Sequence, residues 1–304
     1  MSNSASIIVD HVSKYYGDVT ALDDICLEVN EGELFGLIGP DGSGKSSLFR
    51  ILTTLILCEK GSATVAGFDV VKDYKKIRES VGYMPGRFSL YQDLSVEENL
   101  EFFASIFGTT IHENYDLVRD IYVQLEPFKK RKAGQLSGGM KQKLALCCSL
   151  IHKPAVLFLD EPTTGVDPVS RKEFWEMLNR LKEKGISILV STPYMDEASL
   201  CDRVALMQNG RILTMDTPSN IENAYNRQML AVRTNDMYAL INDLRAYDKG
   251  KTTYAFGEYL HFTEQSEEIN QDEVRQYLYD RGHQQLEMKL VKPGIEDCFM
   301  DLMN

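Results

Sequence analysis

The run GPDGSGKSS at residues 39–47 constrains the fold more than any other part of the sequence. It matches the pattern G-x-x-x-x-G-K-[ST] and stands between the apolar run ELFGLIG and the segment KSSLFRILTTLI, which reads as a helix. Glycines remove side chains from such a loop, so that backbone N–H groups can approach an anion closely. The helix that follows adds the partial positive charge of its N-terminus. The sequence therefore predicts a strand, a phosphate-binding loop and a helix in succession.

We call residues 39–47 the phosphate loop. Lys45 is expected to bridge the β- and γ-phosphates of a bound nucleotide, and Ser46 is expected to ligate Mg²⁺. A glycine-rich turn without a ligand is the alternative, which the position of the loop between a strand and a helix disfavours. The residues expected to bind the nucleotide here are Gly39, Pro40, Asp41, Gly42, Ser43, Gly44, Lys45, Ser46 and Ser47.

A second motif, AVLFLDEP, ends a continuous apolar run with Asp160 and Glu161. In a fold with a phosphate loop, an aspartate at the end of a buried strand supports the Mg²⁺ ion. Glu161 would then polarise the attacking water as a general base. Buried strands that end in aspartate are common, so this motif gains its weight from the phosphate loop.

The third motif is LSGGMKQ, and we call residues 136–140 the signature: Leu136, Ser137, Gly138, Gly139 and Met140. Ser137 and two glycines open a helix, which makes a second anion-binding helix N-terminus. One phosphate loop is enough for one triphosphate, so the spare site suggests a nucleotide held by another subunit. A simple capped helix explains Ser137 but not the doubled glycine.

Apolar runs alternate with helical patterns up to about residue 218, which predicts an α/β fold with a doubly wound parallel sheet. The run VALMQNGRILTM predicts a hairpin that turns at Asn209 and Gly210. From residue 219, four strand-like runs and two helical segments predict a small α+β domain of β-α-β-β-α-β order, which is the ferredoxin-like order. We therefore expect domains at residues 1–218 and 219–304.

Composition narrows the partners and the compartment. The net charge of −12 disfavours a nucleic-acid-binding face. None of the six cysteines forms a C-x-x-C pair or stands at zinc spacing from a histidine, so we expect small buried side chains in a reducing compartment. We find neither a signal peptide nor an apolar run of membrane length. We expect a cytoplasmic chain that reaches the inner face of the cell membrane through a permease.

The motifs GPDGSGKSS, LSGGMKQ, FLDEPTTGVDP and VSTPYMDEAS, in this order, resemble the ATP-binding subunit of ABC transporters over residues 6 to about 216. The resemblance implies a P-loop NTPase core with an antiparallel β subdomain and a helical subdomain at about residues 87–152. It also implies two such subunits arranged head to tail, with ATP and Mg²⁺ between one phosphate loop and the opposing signature, and transmembrane permease subunits as partners.

By the same resemblance, Tyr16 stacks on adenine and Asp167 is the acidic residue of the loop that crosses the dimer interface. An ordinary strand aromatic is the alternative for Tyr16. The C-terminal part resembles the appended domain of the drug-resistance and ABC-2 exporter branch. A regulatory or dimer-supporting role and a simple packing role both remain open for it.

Three positions depart from the family pattern. Pro193 stands where relatives carry a histidine that contacts the γ-phosphate, and proline has no side-chain donor and no backbone N–H. Gly86 stands where relatives carry a glutamine that senses Mg²⁺ and the attacking water. Asp41 replaces the usual asparagine, and Arg87 is a candidate to offset its charge. His152, the histidine nearest in sequence to Pro193, reads as structural.

The losses at Gly86 and Pro193 fall in the chain's own half-site, whereas its signature is intact. We therefore expect the degenerate member of a heterodimeric ATPase pair that powers export. The alternatives are a slow homodimer that retains Glu161, a nucleotide-gated structural subunit without turnover, and a soluble ABC ATPase that does not transport. The sequence does not identify the transported molecule.

Overall fold

The computed structural model describes residues 4–303. This part of the chain divides into two compact units, which adjoin in sequence between Thr217 and Pro218. Separate clusters of buried apolar side chains lie in the two units. Among the described residues, no helix has the length and apolar character needed to cross a membrane.

The first unit is built from ten strands and six α-helices within the described residues. The strands are β1 (Ala5–Tyr16), β2 (Val19–Asn30), β3 (Leu34–Ile38), β4 (Lys60–Val65), β5 (Phe68–Asp69), β6 (Val81–Met84), β7 (Val156–Asp160), β8 (Ser187–Thr192), β9 (Arg203–Gln208) and β10 (Arg211–Asp216). The helices are α1 (Lys45–Leu52), α2 (Tyr74–Ser80), α3 (Val96–Ile106), α4 (Tyr115–Leu125), α5 (Gly138–Leu150) and α6 (Pro168–Glu183). Short 3₁₀ helices lie at Glu126–Phe128, Ala133–Gln135 and Met195–Leu200.

The central sheet has six strands in the order β10-β9-β3-β8-β7-β6. Strands β9, β3, β8, β7 and β6 are parallel, and β10 joins β9 as the antiparallel partner of the predicted hairpin. Every residue of β3, β7 and β8 is buried, as expected for parallel strands covered on both faces. The predicted doubly wound sheet is confirmed. The carboxyl ends of three adjacent strands meet at one edge, where Ile38 pairs with Thr192 and Asp160 with Ser191.

A second sheet of four antiparallel strands, in the order β2-β1-β4-β5, completes the core of the first unit. Apolar residues of β1 and β2 share one buried cluster with α1 and β7. Within it, the rings of Phe49 and Phe158 meet edge to face with their centroids 5.9 Å apart. The phosphate loop, which precedes α1, is thereby supported by both sheets.

Helices α3, α4 and α5 form the helical segment that the sequence predicts between Val96 and His152. A capping box begins α3, because the hydroxyl of Ser95 accepts from the backbone N–H of Glu98 while the Glu98 carboxylate accepts from the N–H of Ser95. The buried side chain of Asn99 accepts from the backbone N–H of Tyr91 and donates to the Tyr91 carbonyl. These bonds fix the loop that leads into the helical segment.

One detail of the first unit differs from the sequence prediction. The helix predicted over residues 45–56 ends at Leu52, because Thr54 adopts a left-handed φ of 63° that a helix cannot continue through. The acidic segment after Pro193 is a short 3₁₀ helix.

The second unit contains four strands and four helices within the described residues. They are α7 (Pro218–Asn223), β11 (Met229–Arg233), α8 (Met237–Arg245), β12 (Gly250–Phe256), β13 (Tyr259–Glu264), α9 (Gln271–Asp280), β14 (Glu287–Val291) and α10 (Ile295–Leu302). The strands form an antiparallel sheet in the order β12-β13-β11-β14. Between β11 and β14 the elements follow the predicted β-α-β-β-α-β order, while α7 and α10 are additions that the sequence analysis missed.

A buried carboxylate fastens α10 to the sheet of the second unit. Asp297 accepts hydrogen bonds from the backbone N–H of Gly294 at 2.7 Å and from the Tyr254 hydroxyl at 2.7 Å. The Nδ1 atom of His261 lies 2.6 Å from the same carboxylate. Burial raises the pKa of Asp297, but the hydrogen bonds from His261, Tyr254 and Gly294 outweigh burial and leave the pKa below its ordinary value.

The six cysteines divide by environment. Four of them are buried, as predicted: Cys147, Cys148, Cys201 and Cys298. Cys58 is half-buried and Cys26 is exposed, so the expectation of small buried side chains is wrong for Cys26. It lies on β2, where alternate residues face away from the core.

Candidate functional site

The backbone of the phosphate loop requires glycine at particular positions. Gly42 and Gly44 have φ values of 79° and 105°, which L side chains rarely adopt. A Cβ atom on Gly44 would lie 2.3 Å from the carbonyl of Ala21, and one on Gly39 would lie 2.1 Å from the carbonyl of Met207. The loop is therefore pressed against β2 and β9, which fixes its shape in advance of any ligand.

The ammonium group of Lys45 lies inside the phosphate loop and is almost fully buried. It donates to the carbonyls of Gly39 at 2.7 Å and Pro40 at 3.0 Å. The carboxylate of Glu161 lies 3.7 Å from the same nitrogen. Burial lowers the pKa of Lys45, although Glu161, Asp41 and Asp160 act in the opposite direction. A desolvated cation thus stands where the motif predicts one.

The second motif converges on the same place. The hydroxyl of Ser46 donates to Oδ1 of Asp160 at 3.2 Å, and the hydroxyl of Ser191 donates to the same oxygen at 2.7 Å. The backbone N–H of Glu161 donates to the hydroxyl and the carbonyl of Ser191. Glu161 has a left-handed φ of 51°, so β7 turns sharply at this residue. Burial raises the pKa of the Glu161 carboxyl, and Lys45 partly opposes this effect.

These residues fit a nucleotide with Mg²⁺. The hydroxyl of Ser43 is buried within the loop and has no hydrogen-bond partner, as expected of a donor whose partner is a ligand oxygen. Ser46 and Asp160 offer a hydroxyl and a carboxylate, which are the hard oxygen ligands that Mg²⁺ prefers. The donor set therefore suits the ion that the motif implies.

Tyr16 lies at the end of β1 beside the phosphate loop. Its ring is 44% exposed, and its hydroxyl lies 3.5 Å from the hydroxyl of Ser47. The ammonium of Lys14 stands 5.2 Å from the ring centroid. The ring is therefore not a packed strand aromatic, and it presents an apolar surface near the predicted phosphate site.

The two departures flank the pair of acidic residues. A Cβ atom on Gly86 would lie 3.1 Å from the carbonyl of Asp160 and 3.8 Å from Cβ of Glu161. Pro193 directly follows β8, whose last residue, Thr192, pairs with the end of β3. Gly86 and Pro193 therefore both lie at the edge of the sheet that carries Asp160 and Glu161, and neither has a polar side chain to offer there.

The two side chains that the sequence analysis considered as neighbours of these positions, His152 and Arg87, have the following contacts. His152 bonds through Nε2 to the carbonyl of Val81 at 3.0 Å and stacks on Phe107 with ring centroids 3.7 Å apart. Burial also lowers the pKa of His152, so the side chain has the structural role that the sequence predicts. Among the ion pairs of residues 4–303, none joins Arg87 to Asp41.

The signature leads into α5, and Ser137 caps this helix. The Ser137 hydroxyl accepts from the backbone N–H of Met140 at 3.4 Å. A Cβ atom on Gly139 would lie 2.8 Å from Oγ and 2.9 Å from Cβ of Ser170, whereas one on Gly138 would meet only the carbonyl of Gly165 at 3.6 Å. Contact with α6 therefore explains why residue 139 is a glycine. No contact within the described residues explains why residue 138 is one.

Asp167 caps α6, since its carboxylate accepts from the backbone N–H of Ser170 at 3.0 Å. This hydrogen bond is the largest cause that lowers the pKa of Asp167. Asp167 and the signature thus adjoin through Ser170. Within the described residues, no hydrogen bond or ion pair joins the signature to the phosphate loop.

The sequence analysis assigned no role to four polar residues of this edge. Ser191 links Asp160 to Glu161, and buried Glu197 accepts from the hydroxyls of Thr163 and Thr192. A sequence signal for them was present, because the strand SILVST ends with two adjacent hydroxyl residues.

The family model described as ABC transporter matches residues 22–164. Among curated relatives, the probable multidrug ABC transporter ATP-binding protein YbhF of Escherichia coli K12 is 41% identical over 69% of this chain, which spans 37% of that protein. The daunorubicin resistance ATP-binding protein DrrA2 of Streptomyces coeruleorubidus is 38% identical over 72% of this chain and 69% of its own length. The Nod factor export ATP-binding protein I of Rhizobium sp. N33 is 32% identical over 96% of this chain and 94% of its own length, so that match includes the second unit.

Solved structures agree with these relatives. An ATP-binding subunit of an ABC transporter superposes with a TM-score of 0.66 at 28% identity, covering 72% of this chain and 92% of that one. A bacterial ABC transporter cassette described as dimeric gives a TM-score of 0.63 at 25% identity, covering 69% of this chain and 98% of that one. The chain therefore has the P-loop NTPase fold and belongs to the family of ABC transporter ATP-binding proteins, with relatives in its drug-resistance and exporter branch.

Proposed function

We propose that the chain binds ATP and Mg²⁺ at its phosphate loop and uses them, with a second ATPase subunit, to drive export through a separate membrane permease. The observation that carries the proposal is the convergence of Lys45, Ser46, Asp160 and Glu161 at one edge of the central sheet. On this proposal the chain is cytoplasmic and lies at the inner face of the cell membrane.

In the proposed site, the backbone of the loop and Lys45 bind the phosphates. Ser46 and Asp160 hold Mg²⁺, which would neutralise charge on the transferred phosphoryl group. Glu161 accepts a proton from the attacking water, and the buried surroundings that raise its pKa suit that role. Tyr16 stacks on the base. An opposing subunit contributes its signature, and Asp167 lies in the loop that crosses between subunits.

A cavity beside Gly86 supports a membrane partner. It has a volume of about 220 Å³ and lies between the segment around residues 84–90 and helices α3 and α5. Its lining is mostly apolar and includes Met84, Phe88, Phe103 and Phe107. We propose that the permease contacts the chain at this cavity, next to the residue that replaces the family's glutamine.

We further propose that the chain is the degenerate member of a heterodimeric pair. Its own half-site has lost side chains at Gly86 and Pro193, both at the edge that carries Glu161. The exposed start of α5, with Ser137 and Gly138 at the surface, stays available to a complete partner. This chain then binds ATP with little or no turnover and completes the working site of the other subunit.

The test is steady-state ATP hydrolysis by the purified chain alone, with nucleotide binding measured alongside and Glu161→Gln as the blank. We expect binding without turnover above the blank. Turnover well above the blank would contradict the degenerate role and indicate a homodimeric enzyme. Failure to bind ATP would refute the nucleotide site itself.

A restoration variant makes the test sharper. The double change Gly86→Gln with Pro193→His returns both missing side chains, and we expect it to raise turnover of the chain alone. Gly86→Gln with Pro193→Ala is the matched control, because it removes the proline without adding an imidazole. Equal rates in the two double variants would mean that the lost histidine does not limit this half-site.

A further inference from the structure

Two β-bulges face each other on β1 and β2, far along the strands from the turn that joins them. The register breaks between Val9 and Val12, where Asp10 and His11 of β1 stand opposite the single residue Cys26 of β2. The next register break follows directly, and there the extra residue is on β2 instead of β1. Bulges of this kind redirect side chains and often lie at functional sites.

Strand β4 fixes the first bulge from the other side. Gly61 has a φ of 79°, and a Cβ atom there would lie 2.3 Å from the carbonyl of His11 and 2.4 Å from that of Asp10. His11 and Asp24 are both held at left-handed φ values, 52° and 59°. The backbone that presents these side chains is therefore closely held on both edges.

The bulge brings three different ligand types together. A ring nitrogen of His11, a carboxylate oxygen of Asp10 and the sulfur of Cys26 all lie within 4.8 Å of one another. The Nε2 atom of His11 is 3.9 Å from Oδ1 of Asp10. The backbone N–H of His11 also donates to the Cys26 sulfur at 3.3 Å, which holds the sulfur beside the bulge.

A second carboxylate orients the imidazole. The Nδ1 atom of His11 lies 2.7 Å from Oδ1 of Asp24, so Nδ1–H donates to Asp24 and Nε2, which lies 3.9 Å from Oδ1 of Asp10, is the nitrogen left to bind a metal. Histidines that bind metals commonly donate their second ring nitrogen to a carboxylate in this way. Asp24 is itself placed by its backbone N–H, which donates to the Ser13 hydroxyl at 3.2 Å.

We propose that Asp10, His11 and Cys26 bind a divalent transition metal of the zinc class, with Asp24 as the residue that positions His11. Nitrogen, sulfur and carboxylate oxygen are the ligands of Zn²⁺, and a solvent molecule completes four-coordination. Bonds of about 2.0–2.3 Å place tetrahedral ligand atoms about 3.3–3.8 Å apart, so the widest pair must close by about 1 Å. Side chains as exposed as His11, at 67%, can make this adjustment by rotation.

The sequence hides this site because its ligands lie on different strands. His11 and Cys26 are 15 residues apart in the chain and meet only through the pairing of β1 with β2. A bound metal cross-links these strands in the antiparallel sheet. The site uses none of the residues assigned to nucleotide binding, so it stands or falls independently of the proposed ATPase role.

The test uses the untagged full chain, reduced and freed of metal by a chelator, without nucleotide. Zn²⁺ is titrated against a competing chromophoric chelator, and Co²⁺ serves as a spectroscopic probe of thiolate coordination. We expect one Zn²⁺ per chain and a thiolate-to-cobalt absorption band. Cys26→Ser should abolish the band, and Asp24→Asn should weaken Zn²⁺ binding by about 10–100-fold, as for other residues that orient a ligand.

Cys58→Ser and His112→Asn are the matched controls, since they remove another cysteine that is partly accessible and another exposed histidine. Neither should change the affinity. Because all the altered side chains are at the surface or partly exposed, circular dichroism should show a folded chain in each variant. Zn²⁺ binding that survives Cys26→Ser unchanged, or the absence of stoichiometric binding, would overturn the proposal.

Discussion

The two glycines of the signature can be separated by experiment, because the structure gives them different neighbours. Gly139→Ala places a methyl group 2.8 Å from Oγ and 2.9 Å from Cβ of Ser170, which is closer than such atoms can approach. Gly138→Ala places the methyl group 3.6 Å from the carbonyl of Gly165, an ordinary contact. One glycine is thus required by the fold of this chain and the other is not.

The magnitudes follow from these contacts. Overpacking by one methyl group costs about 1–3 kcal/mol and the better helix propensity of alanine offsets up to about 1 kcal/mol, so Gly139→Ala should lower the free energy of unfolding by up to about 2 kcal/mol. In a domain of about 200 residues, 1 kcal/mol corresponds to about 2–4 °C in Tm. Gly138→Ala should leave the stability unchanged or raise it by up to about 1 kcal/mol, because alanine is the better helix former.

The assay combines urea unfolding of each variant with ATP-dependent association in a Glu161→Gln background. Ser170→Gly removes both clashing atoms, so the double variant Gly139→Ala with Ser170→Gly should recover part of the stability lost through the clash. Gly138→Ala should fold normally and yet fail to associate, if a second subunit's nucleotide approaches Gly138. Equal stabilities for the two single variants would refute the packing argument, and normal association of Gly138→Ala would refute the role in trans.

Three further predictions address other parts of the chain. Ser191→Ala should destabilise the first unit by about 1–3 kcal/mol and reduce any turnover, because it removes the hydroxyl that accepts from the Glu161 N–H and the closer of the two hydroxyls that donate to Asp160. Ser149→Ala, whose hydroxyl bonds to the Leu146 carbonyl, is the control in urea unfolding and ATPase assays. Tyr16→Ala should weaken ATP binding by about 10–100-fold if the ring stacks on the base, while Tyr238→Ala, at an 81% exposed ring of the second unit, should not, as fluorescence titration will show. Asp297→Asn should destabilise the second unit at neutral pH, and this loss of unfolding free energy should shrink as the pH falls. The reason is that a carboxylate whose pKa is lowered on folding contributes stability above its unfolded pKa of 3.8 and loses it as the pH falls through the folded value. Urea unfolding at several pH values measures the loss, and a loss that does not depend on pH would count against this argument.

The sequence was sufficient for the parts of the fold that depend on local pattern. The parallel strands are continuous apolar runs, and the turn at Asn209 and Gly210 follows from its two residues. The phosphate loop was predictable because its glycines serve a backbone conformation that few other residues adopt. The hydrogen bonds that the hydroxyls of Thr163 and Thr192 donate to Glu197 join the 3₁₀ helix after Pro193 to two strand ends, and no local pattern predicts them.

Contacts between segments that are distant in the chain could not be predicted from the sequence. Ser170 lies against Gly139, and nothing in the local pattern of either motif announces that approach. Ser191 joins Asp160 only because β8 pairs with β7 in one register. The cluster of His11 with Cys26 likewise depends on a bulge, whose position is set by three strands rather than by one. These features arise from tertiary packing, so spacing rules do not find them.

The carbonyls that hold Lys45 have a consequence for selectivity. Because the ammonium already has partners at 2.7 and 3.0 Å, a nucleotide enters the loop by exchange and must offer more than it displaces. On the proposed function, terminal phosphates carry enough charge to displace the carbonyls from the lysine, whereas a monophosphate reaches less of the loop. We therefore expect the gap between the affinities of the loop for ATP and AMP to be wider than a count of phosphate contacts would suggest.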